Sequence, residues 1–336
     1  MAVGSSLIRM THPTTSSMVA IRSAVRVALE KIESGERIIV ACSGGADSLA
    51  LSYALSLEAA QREVQIIALT VDHQLQPGSG EQAERVVNQL SGMGISLSEI
   101  ATVEVTLADG MEASARRARY AALDAAAEKY LAAKIFLGHT RDDQAESVLL
   151  GLVRGSGTRS LSAMAAESGK YLRPLLGITR DQTLSACAEV GLIPWHDPHN
   201  DDPHYLRSRL RTQVLPLLEE KIGPGIGAAL ARSASLLRDD ADALDKWAMA
   251  EFEKMDPELI DISELILLPR AVRSRVIRAA IYALGAPSGS ISAEHIIPIE
   301  ALLTSWSGQG VISLPGGVKA GRKSGRLSLS PPPKKD

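Results

Sequence analysis

Cysteine is nearly missing from this chain: Cys42 and Cys187 are its only two in 336 residues. That excludes a disulfide framework and a four-thiolate metal site. Cys42 ends an apolar run, where a buried thiol is expected rather than a reactive one. Aromatic residues make up only 3% of the sequence, so the core must rest on Ala, Leu, Ile and Val. Excess charge of one sign is also absent. Lys and Arg number 36 against 39 Asp and Glu, a net charge of -3, whereas nucleic-acid-binding domains commonly have a pI above about 9. Any nucleic-acid contact must therefore come from local basic patches. No apolar run approaches the ~18 to 20 residues that span a membrane. Met1 to Ser17 is rich in Ser and Thr without an apolar signal core, so residues 1–18 are expected to be a flexible leader on a cytoplasmic enzyme. No internal repeat is present.

The first half alternates short apolar runs with helical stretches. Ile38 to Cys42, Ile66 to Val71, Ile100 to Val105 and Ile135 to Leu137 suit strands buried on both faces of a parallel sheet. Leu49 to Ala60, Glu81 to Leu90, Glu112 to Ala132 and Asp142 to Val153 suit the helices between them. This predicts an α/β fold: a doubly wound, mostly parallel sheet domain over 19–204. After the Pro-punctuated stretch His196 to His204, the spacing predicts helices over Tyr205–Glu220, Ile226–Phe252, Arg270–Leu284 and Ala293–Trp306. A smaller, mostly helical domain is expected over 205–310. A short β-ribbon, Val311–Leu314 with Arg326–Leu329, and a tail are expected over 311–336.

Ser43-Gly44-Gly45-Ala46-Asp47-Ser48 falls where the first strand turns into a helix. Paired glycines let backbone N–H groups approach phosphate, and a helix N-terminus adds partial positive charge. The serine hydroxyls can donate, and Asp47 can hold a magnesium ion that bridges phosphates. Without further pattern, the same residues would read as a glycine turn capped by Asp47 or Ser48. No lysine follows the glycines as a P-loop requires, and G-x-G-x-x-G is missing, so neither a P-loop NTPase nor a dinucleotide turn fits. Strand ends in such sheets carry ligands. That places Ser43–Ser48, Asp72-His73 and Gly138-His139 at one mouth.

The loop S-G-G-x-D-S resembles the signature of the PP-loop ATP pyrophosphatase superfamily. Further blocks narrow the resemblance to the tRNA(Ile)-lysidine synthetase family. They are Val71-Asp72-His73; Glu112-x-x-Ala115-Arg116-x-x-Arg119-Tyr120; Leu137-Gly138-His139-Thr140-Arg141-Asp142-Asp143-Gln144-Ala145-Glu146; Arg154-Gly155-Ser156-Gly157 with Met164; Arg173-Pro174-Leu175-Leu176; Trp195-His196-Asp197-Pro198-His199-Asn200; and Tyr205-x-Arg207-x-Arg209-x-Arg211. They cover roughly residues 20 to 218, with Ser147 and Ser208 departing from the family's usual Thr and Asn.

The resemblance implies a two-step ligation. The C2 oxygen of the wobble cytidine in the CAU anticodon of isoleucine tRNA attacks the α-phosphate of ATP. Free L-lysine then displaces AMP at C2, so decoding changes from AUG to AUA. Asp47, Asp142, Asp143, Glu146 and Arg116 are the expected catalytic residues. Ser43, Gly44, Gly45, Ala46, Asp47, Ser48, His139, Arg154 and Gly155 are expected on ATP, with Asp47 and Asp143 on Mg²⁺. Arg116, Arg119, Arg207 and Arg211 are expected on tRNA or lysine, with Arg207 and Arg211 clamping phosphates and Arg209 structural.

Several bland readings stand beside these. Asp142, Asp143 and Glu146 also suit a generic acidic helix start. His139 is either a satisfied buried histidine or a phosphate contact. Arg116 and Arg119 share a helix face and otherwise form a solvated stripe. Trp195 and Tyr205 either stack on an unpaired base or fill a domain junction. Arg270, Arg273, Arg275, Arg278, Arg322, Lys323 and Arg326 either touch the tRNA backbone or line ordinary exposed faces. A homodimer is left open. The alternatives to a lysidine-forming ligase are a thiolating PP-loop enzyme, which reactive cysteines would mark, and a catalytically silent tRNA-binding protein.

Overall fold

The computed structural model describes residues 16–76, 78–104, 111–197 and 201–332, and no side chain is described for Glu112. Pro198, His199 and Asn200 of the Trp195 block, Val105 of the third expected strand and residues 333–336 of the tail lie outside these. The chain separates into two compact units, Met1–Leu150 with Met164–Arg232, and Gly151–Ala163 with Ser233–Asp336.

The first unit opens with a helix that overlaps the end of the expected leader. α1 (Ser17–Leu29) is capped by Ser16, whose side chain accepts from the Val19 N–H. Met18, Ile21, Val25 and Leu29 recur at helical spacing and are buried. Burying each contributes about 1.5–3 kcal/mol, which is why the leader reading fails from residue 17 onward. β1 (Arg37–Ala41), α2 (Ala46–Ala60), β2 (Gln65–Asp72), α3 (Ser79–Gly92), β3 (Leu97–Thr102), α4 (Met111–Tyr130), β4 (Lys134–Phe136) and α5 (Arg141–Val153) then alternate as expected.

Past α5 come β5 (Glu167–Ser168), β6 (Tyr171–Leu172) and α7 (Arg180–Glu189), which follow α6 (Thr158–Leu161) of the second unit. The sheet order is β3-β2-β1-β4-β6-β5. All neighbours pair in parallel except β5 with β6. Ile38 and Val40 face a core shared with α1, α2, α3 and α7, while Ile39, Ile67 and Ile135 face the α4 side through Leu123, Ala126 and Ala127. Both faces are therefore covered, as a parallel sheet requires. The order reverses between β1 and β4, where Ile38 of β1 pairs with Lys134 of β4. The crevice beyond their carboxyl ends is where such a sheet binds ligands.

The helix expected over Tyr205–Glu220 is α8 (Leu206–Arg209), a π turn (Leu210–Val214) and α9 (Leu215–Lys221). Pro216 lies at the start of α9 and has no N–H to continue the α-helical ladder. All three belong to the first unit, so the junction expected at residue 205 falls inside it. An ion pair between Arg211 and Glu146 fastens the π turn to α5 within this unit.

α10 (Ile226–Phe252) continues into the second unit, which also holds β7 (Leu259–Asp261), α11 (Ile262–Leu267), α12 (Arg270–Ala283), α13 (Ala293–Thr304), β8 (Ile312–Ser313), β9 (Lys319–Lys323) and β10 (Arg326–Ser330). The terminal strands form a four-stranded antiparallel sheet, β7-β10-β9-β8. The two segments expected to pair as a ribbon are thus separated by β9. Lys-Ala-Gly-Arg-Lys reads as loop by composition, yet Ala320 is fully buried. Arg273 is not a surface cation: it is buried and ion-paired with Glu300 at 2.8 Å. Arg275 reaches Asp245 at 2.6 Å, and Arg322 donates to the Leu302 carbonyl at 2.9 Å.

Candidate nucleotide site of the first unit

The loop between β1 and α2 is shaped by its own residues. Gly44 has φ +84°, a left-handed conformation that side chains resist, and an added Cβ would lie 2.4 Å from Val86 Cγ2. The Ser48 hydroxyl accepts from the Ser43 N–H at 3.2 Å and donates to the Gly45 carbonyl at 3.0 Å. Ser48 is thus committed to closing the turn, while Ser43 stays exposed. Gly45 is the N-cap of α2 and supplies no capping side chain. The start of this helix is therefore open to an anion. Gly138, after β4, packs so closely that a Cβ would lie 3.1 Å from the Asp47 carbonyl and the Ser48 nitrogen. The Trp195 N–H donates to the Gly44 carbonyl at 2.9 Å.

Three helix starts bring charged groups together beside this loop. Asp47, in the first turn of α2, accepts from Arg180 Nη2 at 3.3 Å through Oδ2 and from the Thr183 hydroxyl through Oδ1. Asp143, in the first turn of α5, accepts from the Thr140 N–H at 2.7 Å and the Thr140 hydroxyl at 3.0 Å. Its other oxygen lies 3.8 Å from Arg180 and 3.6 Å from Arg211. Glu146, 1% exposed, holds the Arg211 fork at 2.7 and 3.1 Å.

Burial pushes Asp47 above the ordinary carboxylate range, and Arg180 and Thr183 offset this only in part. Glu146 is raised for the same reason, with Arg211 opposing. For Asp143, burial is outweighed by the Thr140 N–H and by His139, Arg180 and Arg211, so its carboxyl stays below that range. Asp142 does another job: its Oδ2 accepts the Arg180 N–H at 2.9 Å and fixes the start of α7.

A cationic neighbourhood lies on the other side of Asp143. Burial pushes His139 down to about 3, with Arg119, Arg173 and Arg116 also lowering it and Asp143 opposing. The imidazole is therefore neutral near pH 7, and its buried Nδ1 has no partner. Arg119 Nε, Arg173 Nε and His73 Nδ1 are likewise buried without partners. A buried polar atom left unpaired costs free energy, so this group is fitted to hydrogen-bond a bound molecule, the two arginines as donors. Arg116 is exposed; it stacks on the Tyr120 ring at 4.8 Å and donates to the Tyr120 hydroxyl at 3.2 Å. Arg207 lies close enough to Arg119 to depress its basicity further, after burial and Arg116.

Of the expected set, Ser43 to Ser48, His139, Asp142, Asp143, Glu146, Arg116, Arg119, Arg207 and Arg211 all fall in the first unit. Arg211 is spent on Glu146 rather than free to clamp phosphate. Arg209 donates to the Pro203 carbonyl at 2.8 Å, a structural contact. Arg154 and Gly155 belong to the second unit, in the turn after α5. Sequence reasoning missed Arg180 and Thr183. Their signal was the capping box Thr179-x-x-Gln182, which opens α7.

No group of three or more His, Cys, Asp or Glu side chains that could hold a metal occurs among the described residues. Magnesium keeps its waters and uses one or two carboxylates plus substrate phosphates. Asp47 and Asp143, drawn to one shared cation and with Asp47 under-compensated, fit that habit.

A glycine turn and an open helix start at the strand reversal define the class. Residues 18–218 match the PP-loop domain family, well over half the chain. The U34-tRNA thiolase NcsA of Methanococcus maripaludis shares the fold, with a TM-score of 0.56 and 19% identity over 66% of this chain and 79% of that one. Residues 260–328 match the TilS substrate binding domain family.

The tRNA(Ile)-lysidine synthase of Thermobifida fusca is 48% identical over 92% of this chain and 96% of its own length. That of Streptomyces coelicolor is 53% identical over 87% and 84%. The chain belongs to the tRNA(Ile)-lysidine synthase family.

Proposed function

We propose that the protein is an ATP-dependent ligase that joins free lysine to C2 of the wobble cytidine in the CAU anticodon of isoleucine tRNA. The observation that carries this reading is the charged array at the β1–β4 crevice, where Asp47, Asp143 and the phosphate loop meet. Catalysis of the first step rests on positioning and charge neutralisation. The open start of α2 and the loop amides cradle the triphosphate. Asp47 and Asp143 would hold magnesium, which neutralises phosphate charge when bound. The cytidine O2 attacks the α-phosphorus, and pyrophosphate leaves. The lysine ε-nitrogen then bonds to C2 and loses a proton, and AMP departs with the former O2.

Arg119, Arg173 and the neutral His139 offer buried donors to the tRNA beside the reacting base, and Arg116 and Arg207 lie at the edge of the same group. Acidic side chains favour the approach of the lysine ammonium. No helix of the described residues is long and apolar enough to cross a membrane, and we place the enzyme in the cytoplasm with its tRNA.

A thiolating role has no support from the thiols. Burial raises Cys42 and pushes Cys187 up to about 12, so both stay protonated and unreactive. The test is incubation with ATP, Mg²⁺, radiolabelled lysine and a CAU-anticodon isoleucine tRNA transcript. Label should enter the tRNA with release of AMP. Folded protein that incorporates none, or that releases ADP, refutes the assignment.

A further inference from the structure

A cation beside the glycine turn stands on α7, the helix that the sequence pattern left unread. Arg180 Nη2 lies 3.3 Å from Asp47 Oδ2 and 3.8 Å from Asp143 Oδ1. One guanidinium therefore sits between two carboxylates that come from different strand ends. The residue is anchored without using that guanidinium. Its own N–H donates to Asp142 Oδ2 at 2.9 Å, and the Arg141 N–H donates to the Ile178 carbonyl at 2.8 Å. Thr183, three residues on, donates to the Arg180 carbonyl at 2.8 Å and also to Asp47 Oδ1. The start of α7 is thus pinned, while the head of Arg180, with its side chain 28% exposed, is free to leave.

Charge makes the departure favourable. Asp47, Asp143 and Glu146 carry three negative charges against two positive ones on Arg180 and Arg211. A divalent cation on Asp47 and Asp143 would supply the compensation that Arg180 now gives, and would repel the guanidinium. A triphosphate in the same crevice offers Arg180 a better match, since a planar fork pairs with phosphate oxygens two at a time.

The geometry points to Arg180 as a placeholder cation that holds Asp47 and Asp143 together before magnesium binds, yields them to that ion, and turns to the phosphates of the nucleotide. This rests on the ATP reading above. Arg180 is then a further nucleotide-binding residue, and Thr183 a positioning residue that keeps Asp47 in place after the exchange.

The exchange predicts opposite effects on two bindings, which a merely structural arginine does not. Mn²⁺ binding without nucleotide is measured by electron paramagnetic resonance, and a fluorescent ATP analogue with Mg²⁺ by anisotropy. Arg180→Gln should bind Mn²⁺ alone several-fold more tightly, because its competitor is gone. It should bind the nucleotide on the order of tenfold more weakly, because a charge-assisted bond is lost. Arg180→Lys keeps the charge without the fork and should fall between on both.

A thermal melt establishes that each variant folds. If Arg180→Gln does not fold, the opposed shifts are sought in Arg180→Lys. Loss of Mn²⁺ and nucleotide affinity together, or unchanged nucleotide affinity, overturns the exchange. Wild-type protein that binds neither probe would instead overturn the nucleotide site itself.

Discussion

Gly44→Ala isolates what the phosphate loop demands of its backbone. Two costs are expected. A side chain at φ +84° costs about 1–2 kcal/mol. The new methyl would also lie 2.4 Å from Val86 Cγ2, and Val86 is fully buried, so it cannot turn aside into solvent. Overpacking of that kind costs about 1–3 kcal/mol. The expected sum is about 2–5 kcal/mol, unless the loop shifts and surrenders its fit to phosphate.

Gly35 supplies the control. It has the same φ of +84° with nothing within 4 Å of an added Cβ, so Gly35→Ala should show the backbone cost alone. Urea unfolding of both variants, with ATP binding by calorimetry, separates the contributions. Gly44→Ala should be the less stable by about 1–3 kcal/mol, or should bind ATP at least tenfold more weakly. If Gly44→Ala matches Gly35→Ala in stability and binds ATP like the wild type, the close packing assigned to this loop is wrong.

Three further outcomes are expected. Burial lowers the His139 pKa to about 3 in the fold against about 6.5 when unfolded, so its stabilisation is complete above 6.5 and is lost as pH falls towards 3. The wild type should lose up to about 1.4 kcal/mol per pH unit from this group across that window, and His139→Gln should show a shallower slope in urea unfolding; parallel curves would rule the shift out. Arg211→Met leaves Glu146 buried and uncompensated, which should cost about 3–5 kcal/mol. Because Glu146 is already raised by burial, protonation should restore part of that stability as pH is lowered, and a deficit that is independent of pH would contradict the pairing. Asp47→Asn should abolish pyrophosphate release while gel-shift affinity for tRNA stays within about threefold; normal release would remove Asp47 from the metal site.

What the sequence disclosed and what it hid follow from the range of the interactions. β1, the glycine turn and α2 were legible because a buried strand, a phosphate turn and a helix start each have local requirements. The Gly138–Glu146 segment was legible for the same reason. α1 was hidden by the Ser- and Thr-rich stretch before it, although Met18, Ile21, Val25 and Leu29 keep helical spacing. α7 was hidden because its apolar contacts, Ala186 and Cys187, are few and small.

The division of labour among the acids could not be read at all. Asp142 and Asp143 are adjacent in sequence, yet one caps α7 and the other faces Arg180 and Arg211. Only the tertiary approach of α7 and of the π turn decides between them. β9 was missed because two lysines, an arginine and a glycine outweigh Ala320, the single fully buried residue of the strand.

The bond from the Trp195 N–H to the Gly44 carbonyl joins main-chain atoms on both sides. Alanine scanning is therefore blind to it, since every residue but one carries the same donor. Proline at 195 is the substitution that deletes it. A survey built on side-chain truncation would record the segment ahead of the basic Arg207–Arg211 stretch as a tolerant linker, when its backbone is fastened to the glycine turn that opens α2.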